Sequence, residues 1–304
     1  MRSVYRRQRV EGLLTPAVIH NGNYFLDNMA VYEDGVINCW HRSDLWQFRE
    51  DLSRGWVVPG VPKGAVLSVF QLGSFPVLET RWLYGPEEYY RYIQSLVRKL
   101  NPEMTNLYRT TRRETDLWES RRVCRVAKPT AFHLTRELGY STADGRDKFL
   151  FRRTEAGVEL TTLFLYEDQT LRLGEEELLR TPAEIDDMLV SGELATAPRP
   201  EEWVAIPGLG QVQLGASEYT VEREEKRKEI AEALRELSGE PTARDRCVAA
   251  YHAYLEEPTD WARERLRKAY EAVPAHERIY LGDMDTRDSD YIRILHFPDE
   301  KREV

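Results

Sequence analysis

The stretch VYEDGVINCW, residues 31–40, packs Glu33, Asp34 and Cys39 closely together, with His41 one residue beyond. A thiol beside an imidazole can become a nucleophile when the imidazole takes its proton, and residues two apart on a strand share a face. The late run GDMDTRDSD offers another chemistry. Asp283, Asp285, Asp288 and Asp290 are hard oxygen ligands of the kind Mg²⁺ or Ca²⁺ takes. Neither pattern is complete. The acidic run lacks the glycine and the closing glutamate of an EF-hand loop, and a turn rich in aspartate accounts for it equally well. The six histidines, His20, His41, His133, His252, His276 and His296, show no HxxxH or HxH spacing, and no cysteine pair supports zinc. Cys39 on a strand reads first as a small buried hydrophobe. Phosphate-loop, nucleophile-elbow and dinucleotide fingerprints are missing too, so the sequence predicts no cofactor and leans away from an enzyme.

The elements around these residues explain the triplet Tyr-Glu-Asp differently. YFLDNMAVY, Tyr24 to Tyr32, reads as a strand, and Val36 to Trp40 as its return. Asp34-Gly35 between them is a hairpin signal, because both residues tolerate the positive φ of tight turns. Asp44 then caps a short helix, with Gln47 completing a capping box and Gly55 ending it. Strands are expected at Val66 to Val69 and Phe75 to Tyr84. Pro86 opens a longer helix, PEEYYRYIQSLVRKL, with Glu87 and Glu88 at its positive end.

The pattern recurs 137 residues on. Asp44, Gln47 and Gly55 become Thr181, Glu184 and Gly192; Ile93 and Leu100 become Ile230 and Leu237. A second triplet in LYEDQTLRL lies 134 residues after the first, so copy two holds three extra residues before its capping box. Recurrence of caps, turn residues and apolar sites at one offset marks an internal duplication. The expected fold is α+β: two tandem, duplicated small antiparallel-sheet-plus-helix units followed by a helical C-terminal region. The expected boundaries are 1–105 for the first unit, 106–130 for a basic helical linker, 131–238 for the second unit and 239–304 for the helical region. In that last region Thr242 and Asp245 form another helix start, and Glu257-Pro258 joins two helices.

Composition narrows the function classes. The 304 residues are 41% hydrophobic and 31% charged, with a net charge of −9. That balance disfavours general nucleic-acid or anionic-membrane binding, although Arg109, Arg112, Arg113, Arg121, Arg122, Arg125 and Lys128 make the linker locally basic. No apolar run approaches the roughly 20 residues of a membrane helix. Three well-separated cysteines argue against a disulfide framework and for a reducing cytoplasm. With its YEDG…CW hairpin and late YLGDMD stretch, the chain resembles an uncharacterised bacterial protein family of unknown function, which implies no particular activity.

The expectation is therefore a non-enzymatic cytoplasmic protein that binds another protein, in an immunity-like or regulatory role. A divalent-metal-dependent enzyme using Asp283–Asp290 is one alternative, and a nucleic-acid contact through the linker arginines is another. Differences between the copies point to the place. Trp56, Tyr84, Tyr89, Tyr90 and Tyr92 become Glu193, Val221, Lys226, Arg227 and Glu229, and Trp40 has only Leu173 or Gly174 opposite it. Successive helical residues turn about 100°, so at least one of Tyr89, Tyr90 and Tyr92 should be exposed. Trp40, Trp56, Tyr90 and Tyr92 are the candidate binding residues.

Overall fold

The computed structural model describes residues 6–110, 132–136, 145–282 and 287–298. In copy one, β1 (Arg6–Val10) precedes the hairpin of β2 (Gly12–Asn21) and β3 (Asn23–Tyr32). Short strands β4 (Ile37–Cys39) and β5 (His41–Ser43) lead into α1 (Leu45–Arg54). Then come β6 (Val57–Val58), β7 (Val66–Val69), β8 (Gly73–Trp82) and α2 (Pro86–Leu100). After β9 (Phe132–Arg136), copy two runs β10 (Gly145–Thr154), β11 (Gly157–Tyr166), β12 (Leu171–Leu173), β13 (Leu179–Arg180) and α3 (Pro182–Ser191). It continues through β14 (Leu194–Ala195), β15 (Glu202–Ile206), β16 (Gly210–Leu214), β17 (Tyr219–Thr220) and α4 (Arg223–Leu237). The C-terminal part is helical: α5 (Ala243–Glu256), α6 (Asp260–Ala272), a 3₁₀ turn (Ala275–Tyr280) and α7 (Ser289–His296).

The duplication extends to strand register. Tyr24 pairs with Leu67 in parallel between β3 and β7, and Val158 pairs with Val204 in parallel between β11 and β15. Ile19 pairs with Val57, and Arg152 with Leu194. Val69 pairs with Gly73, and Ile206 with Gly210. The core positions repeat as well. Met29, Val31, Ile37, Phe48, Leu52, Ile93 and Val97 are buried, and so are their counterparts Leu163, Leu165, Leu171, Ile185, Leu189, Ile230 and Leu234. The α+β class and the repeat are thus as expected, but each copy's sheet is mixed. The chain leaves β3, makes a small hairpin and α1, and returns along β3 in the same direction as β7. A crossover of that length permits parallel pairing, and local sequence does not announce it.

The turn that carries the triplet is structural in both copies. Asp34 Oδ1 accepts from the Val36 amide at 3.2 Å, and Asp168 Oδ1 accepts from the Thr170 amide at 3.0 Å. The next residue is left-handed each time: Gly35 at φ 77° and Gln169 at φ 67°. The acidic side chain replaces a backbone turn partner, so the triplet repeats because the turn repeats.

The chain forms two compact units that do not follow the copies. The first comprises residues 1–142, 154–160 and 198–218; the second comprises 143–153, 161–197 and 219–304. The hairpin β15–β16 of copy two thus belongs to the first unit, where β16 pairs antiparallel with β8 from Gly210↔Trp82 to Leu214↔Val77. Gly210 permits this pairing, because a Cβ there would lie 2.3 Å from the Arg81 carbonyl oxygen. The second unit holds two apolar clusters, one around Leu163, Ile185 and Ile230 and one around Cys247, Leu266 and Tyr291.

Candidate functional site

The first unit gathers aromatic and acidic side chains at the corner where β4 turns into β5. Cys39 and His41 pair directly across Trp40, whose backbone takes φ 62°. A bulky residue in the left-handed region is strained, and glycine is the usual occupant. Copy two bears this out, for the equivalent position is Gly174 at φ 51°. Trp40 is 50% exposed, yet its ring is held in place. Its Nε1–H donates to Asp27 Oδ2 at 2.9 Å, Phe25 lies 5.1 Å away centroid to centroid, and Trp56 meets it edge-on at 6.5 Å. Trp56 is half-buried, and its own Nε1 is buried without a hydrogen-bond partner.

His41 stands beside Trp56 at 6.0 Å and bonds Asp51 Oδ2 through Nε2 at 3.0 Å. That bond to Asp51 raises the imidazole pKa against the opposing effect of burial. Cys39 beneath is buried, and its thiol is pushed up to about 12, first by desolvation and then by Asp27 and Asp51. A thiol so placed stays protonated and does not act as a nucleophile at neutral pH. Its counterpart is Leu173 in the second core, so this position asks for an apolar group.

Copy two fills the equivalent corner with its own ions. Arg152 pairs with Glu176 and lies 3.5 Å from Glu193, the counterpart of Trp56; Arg180 joins Glu176 at 2.6 Å. One backbone contact recurs, since His20 N donates to Trp56 O and Arg153 N to Glu193 O, both at 2.8 Å, but the strand connection is longer: Trp40 alone separates β4 from β5, and residues 174–178 separate β12 from β13. Among the described residues, only copy one presents aromatic rings there.

The structure brings Trp40 and Trp56 together, but Tyr90 and Tyr92 sit elsewhere in the same unit. Tyr89 is fully buried, and Tyr92 is half-buried, stacked on Tyr84 at 5.2 Å and on Tyr89 at 6.0 Å, with its hydroxyl 3.5 Å from Thr15 Oγ1. Tyr90 is half-buried below the Arg49 guanidinium at 5.4 Å. The expected exposed ring among the three tyrosines is not found, since Tyr90 and Tyr92 are half-buried: Tyr84, Thr15 and Arg49 cover the helix face that spacing alone would leave open.

Of the acidic run, Asp283 and Asp285 lie outside the described residues. Asp288 accepts from the Tyr270 hydroxyl at 2.7 Å, and Asp290 from the Tyr251 hydroxyl at 3.3 Å. Of the linker's basic residues only Arg109 is described, and it lies over the Trp46 ring at 4.5 Å.

A second group of charges in the other unit was not expected. The counterparts of Tyr89 and Tyr92 are Lys226 and Glu229, and both are as buried as a core residue, at 0% and 1% exposure. Glu229 is the hub. Lys148 Nζ from β10 lies 2.7 Å from Oε1, Lys226 Nζ 2.8 Å from Oε2, and His276 Nε2 from the 3₁₀ turn 2.9 Å from Oε2. Burial alone would raise the Glu229 pKa, but the His276 bond and the two ammonium groups overcome it and hold the carboxyl at about 2. Burial also lowers Lys226 and raises the adjoining Glu277. Glu229, His276 and Glu277 have the spacing of a metal site, but two ammonium groups already neutralise the shared carboxylate and oppose a further cation. The network does pin the 3₁₀ turn to α4 and β10. A charged pair replacing a tyrosine pair at buried helical positions was the sequence signal for it.

Among the described residues, no helix is long and apolar enough to cross a membrane. The chain belongs to the family described as Domain of unknown function (DUF7638), whose model matches residues 1–104 and 133–241. A second model, Domain of unknown function (DUF7639), matches residues 242–302. No curated protein and no solved structure matches the chain.

Proposed function

We propose that this DUF7638 chain is a cytoplasmic, non-enzymatic binding protein that docks another protein through the Trp40 corner of its first copy. One observation carries the reading: an exposed tryptophan occupies a left-handed backbone position where the duplicate has glycine. Strain of this kind costs on the order of 1–3 kcal/mol and persists where the surroundings impose it, most often at binding and active sites. Here the indole is fixed by Asp27, Phe25 and Trp56, so little side-chain entropy remains to be lost on docking. Tryptophan is among the residue types enriched at interface hot spots.

Affinity capture from the source cells tests the reading, using the intact chain, Trp40→Ala and the control Trp261→Ala. A stoichiometric partner should be retained by the first and third and lost by the second. Equal retention by Trp40→Ala, or sustained turnover of a small substrate abolished by one substitution, would end the proposal.

A further inference from the structure

We infer that the Trp40 corner receives a cationic side chain, specifically an arginine of the partner, stacked on the exposed face of the Trp40 indole. The inference rests on the binding role just proposed and adds the chemistry of what is bound. Three described tryptophans are substantially exposed: Trp40, Trp46 at 49% and Trp261 at 68%. The last two are each covered by an arginine of this chain, Arg109 over Trp46 at 4.5 Å and Arg265 over Trp261 at 4.7 Å. Trp203, half-buried, carries Arg81 at 4.4 Å. Among the described residues, no cation lies over Trp40. A planar guanidinium over an indole gains from the ring's negative face, and arginine gives up less hydration than lysine to stack there.

Charge at the corner points the same way. Asp27 holds a carboxylate at the rim of the Trp40 ring, and the Asp51 carboxylate on α1 bonds His41. The buried Cys39 thiol responds to both carboxylates, which marks them as one anionic locality. Copy two places Thr161 and Met188 at these two positions, Glu193 for Trp56 and Gly174 for Trp40. It therefore lacks the indole and both carboxylates and closes the corner with Arg152 and Arg180. The chain's net charge of −9 favours approach of a basic segment.

The probes are two synthetic tripeptides, N-acetyl-Gly-Arg-Gly amide and its neutral citrulline isostere. They are titrated into the intact protein while the indole N–H resonances are followed, with that of Trp40 assigned by its loss in Trp40→Phe. The arginine peptide should shift the Trp40 resonance saturably. The citrulline peptide and Asp27→Asn should each weaken the interaction by about two- to five-fold, the size of an exposed cation–π contact. Trp40→Gly, followed through the resonance of the adjoining Trp56 indole 6.5 Å away, should abolish the response to the arginine peptide, with a nearly unchanged melting temperature as the check on folding. Equal binding of both peptides, a shift confined to Trp46 or Trp261, or no saturable shift up to the solubility limit would each overturn the inference. These failures are separable from failure of the docking role. If Trp40→Ala still loses the captured partner while charge makes no difference, the platform stands and the arginine does not.

Discussion

Trp40→Gly should leave the protein more stable than Trp40→Ala, reversing the usual order of these residues. Both variants lose the same ring contacts with Phe25 and Trp56. At φ 62° alanine keeps the Cβ strain and glycine relieves it, as Gly174 does in the duplicate. The expected difference is up to about 1 kcal/mol in denaturant unfolding, because the greater unfolded-state freedom of glycine offsets part of the relief. An alanine variant more stable than the glycine variant would show that the backbone here carries no strain. His41 gives a second residue-scale prediction. Its pKa is raised in the folded state by the Asp51 bond, so its contribution is fully present below the unfolded value near 6.5. It disappears as pH rises through the folded value. The stability gap between wild type and Asp51→Asn should therefore be larger at pH 5.5 than at pH 8, and a gap that widens with pH would contradict the assignment.

At the scale of elements, the Lys226–Glu229–His276 network makes α4 the clamp of the C-terminal part of the second unit. Glu229→Ala leaves two buried ammonium groups without their shared carboxylate and should cost about 3–5 kcal/mol, measured by chemical unfolding. A loss below about 1 kcal/mol would mean that the ions do not hold the turn. The carboxyl's folded value of about 2 adds a pH signature. Its stabilisation is present above the unfolded value near 4.3 and is lost as pH falls from there towards 2. Acid should therefore release the Ala275–Tyr280 turn, observable as faster amide exchange there, and Glu229→Ala should abolish that pH step. Gly210→Ala should also destabilise the β8–β16 pairing in the first unit, since its Cβ would meet the Arg81 carbonyl.

Much of this element structure was readable in sequence because caps are local chemistry. Asp44 and Thr181 accept from helix amides, and Gly55 and Gly192 close the same helices at φ 72° and 82°. Other features depend on distant partners. The parallel β3–β7 pairing and the placement of β15–β16 in the first unit leave no local signature. Lys226 and Glu229 look like surface residues in any single-sequence reading, and only comparison with Tyr89 and Tyr92 exposes them. The aromatic corner was half legible: Trp40 and Trp56 were found by their difference from copy two, whereas Tyr90 and Tyr92 were set apart from them by packing.

For the whole molecule, duplication supplies an internal comparison. Two copies with matching registers and largely matching core positions differ at the buried Lys226–Glu229 pair and at one corner, where one copy is closed by its own ion pairs and the other keeps a strained, exposed tryptophan beside two carboxylates. A scaffold used twice leaves the unmatched residues as the place where a separate role can develop. The most direct measurement is calorimetric titration of the purified captured partner into wild type and Trp40→Gly, the variant that keeps the backbone conformation. The account predicts at least a tenfold loss of affinity, corresponding to a hot spot of about 1.4 kcal/mol or more, with thermal unfolding nearly unchanged. Equal affinity in the two proteins would contradict it and place the binding surface elsewhere.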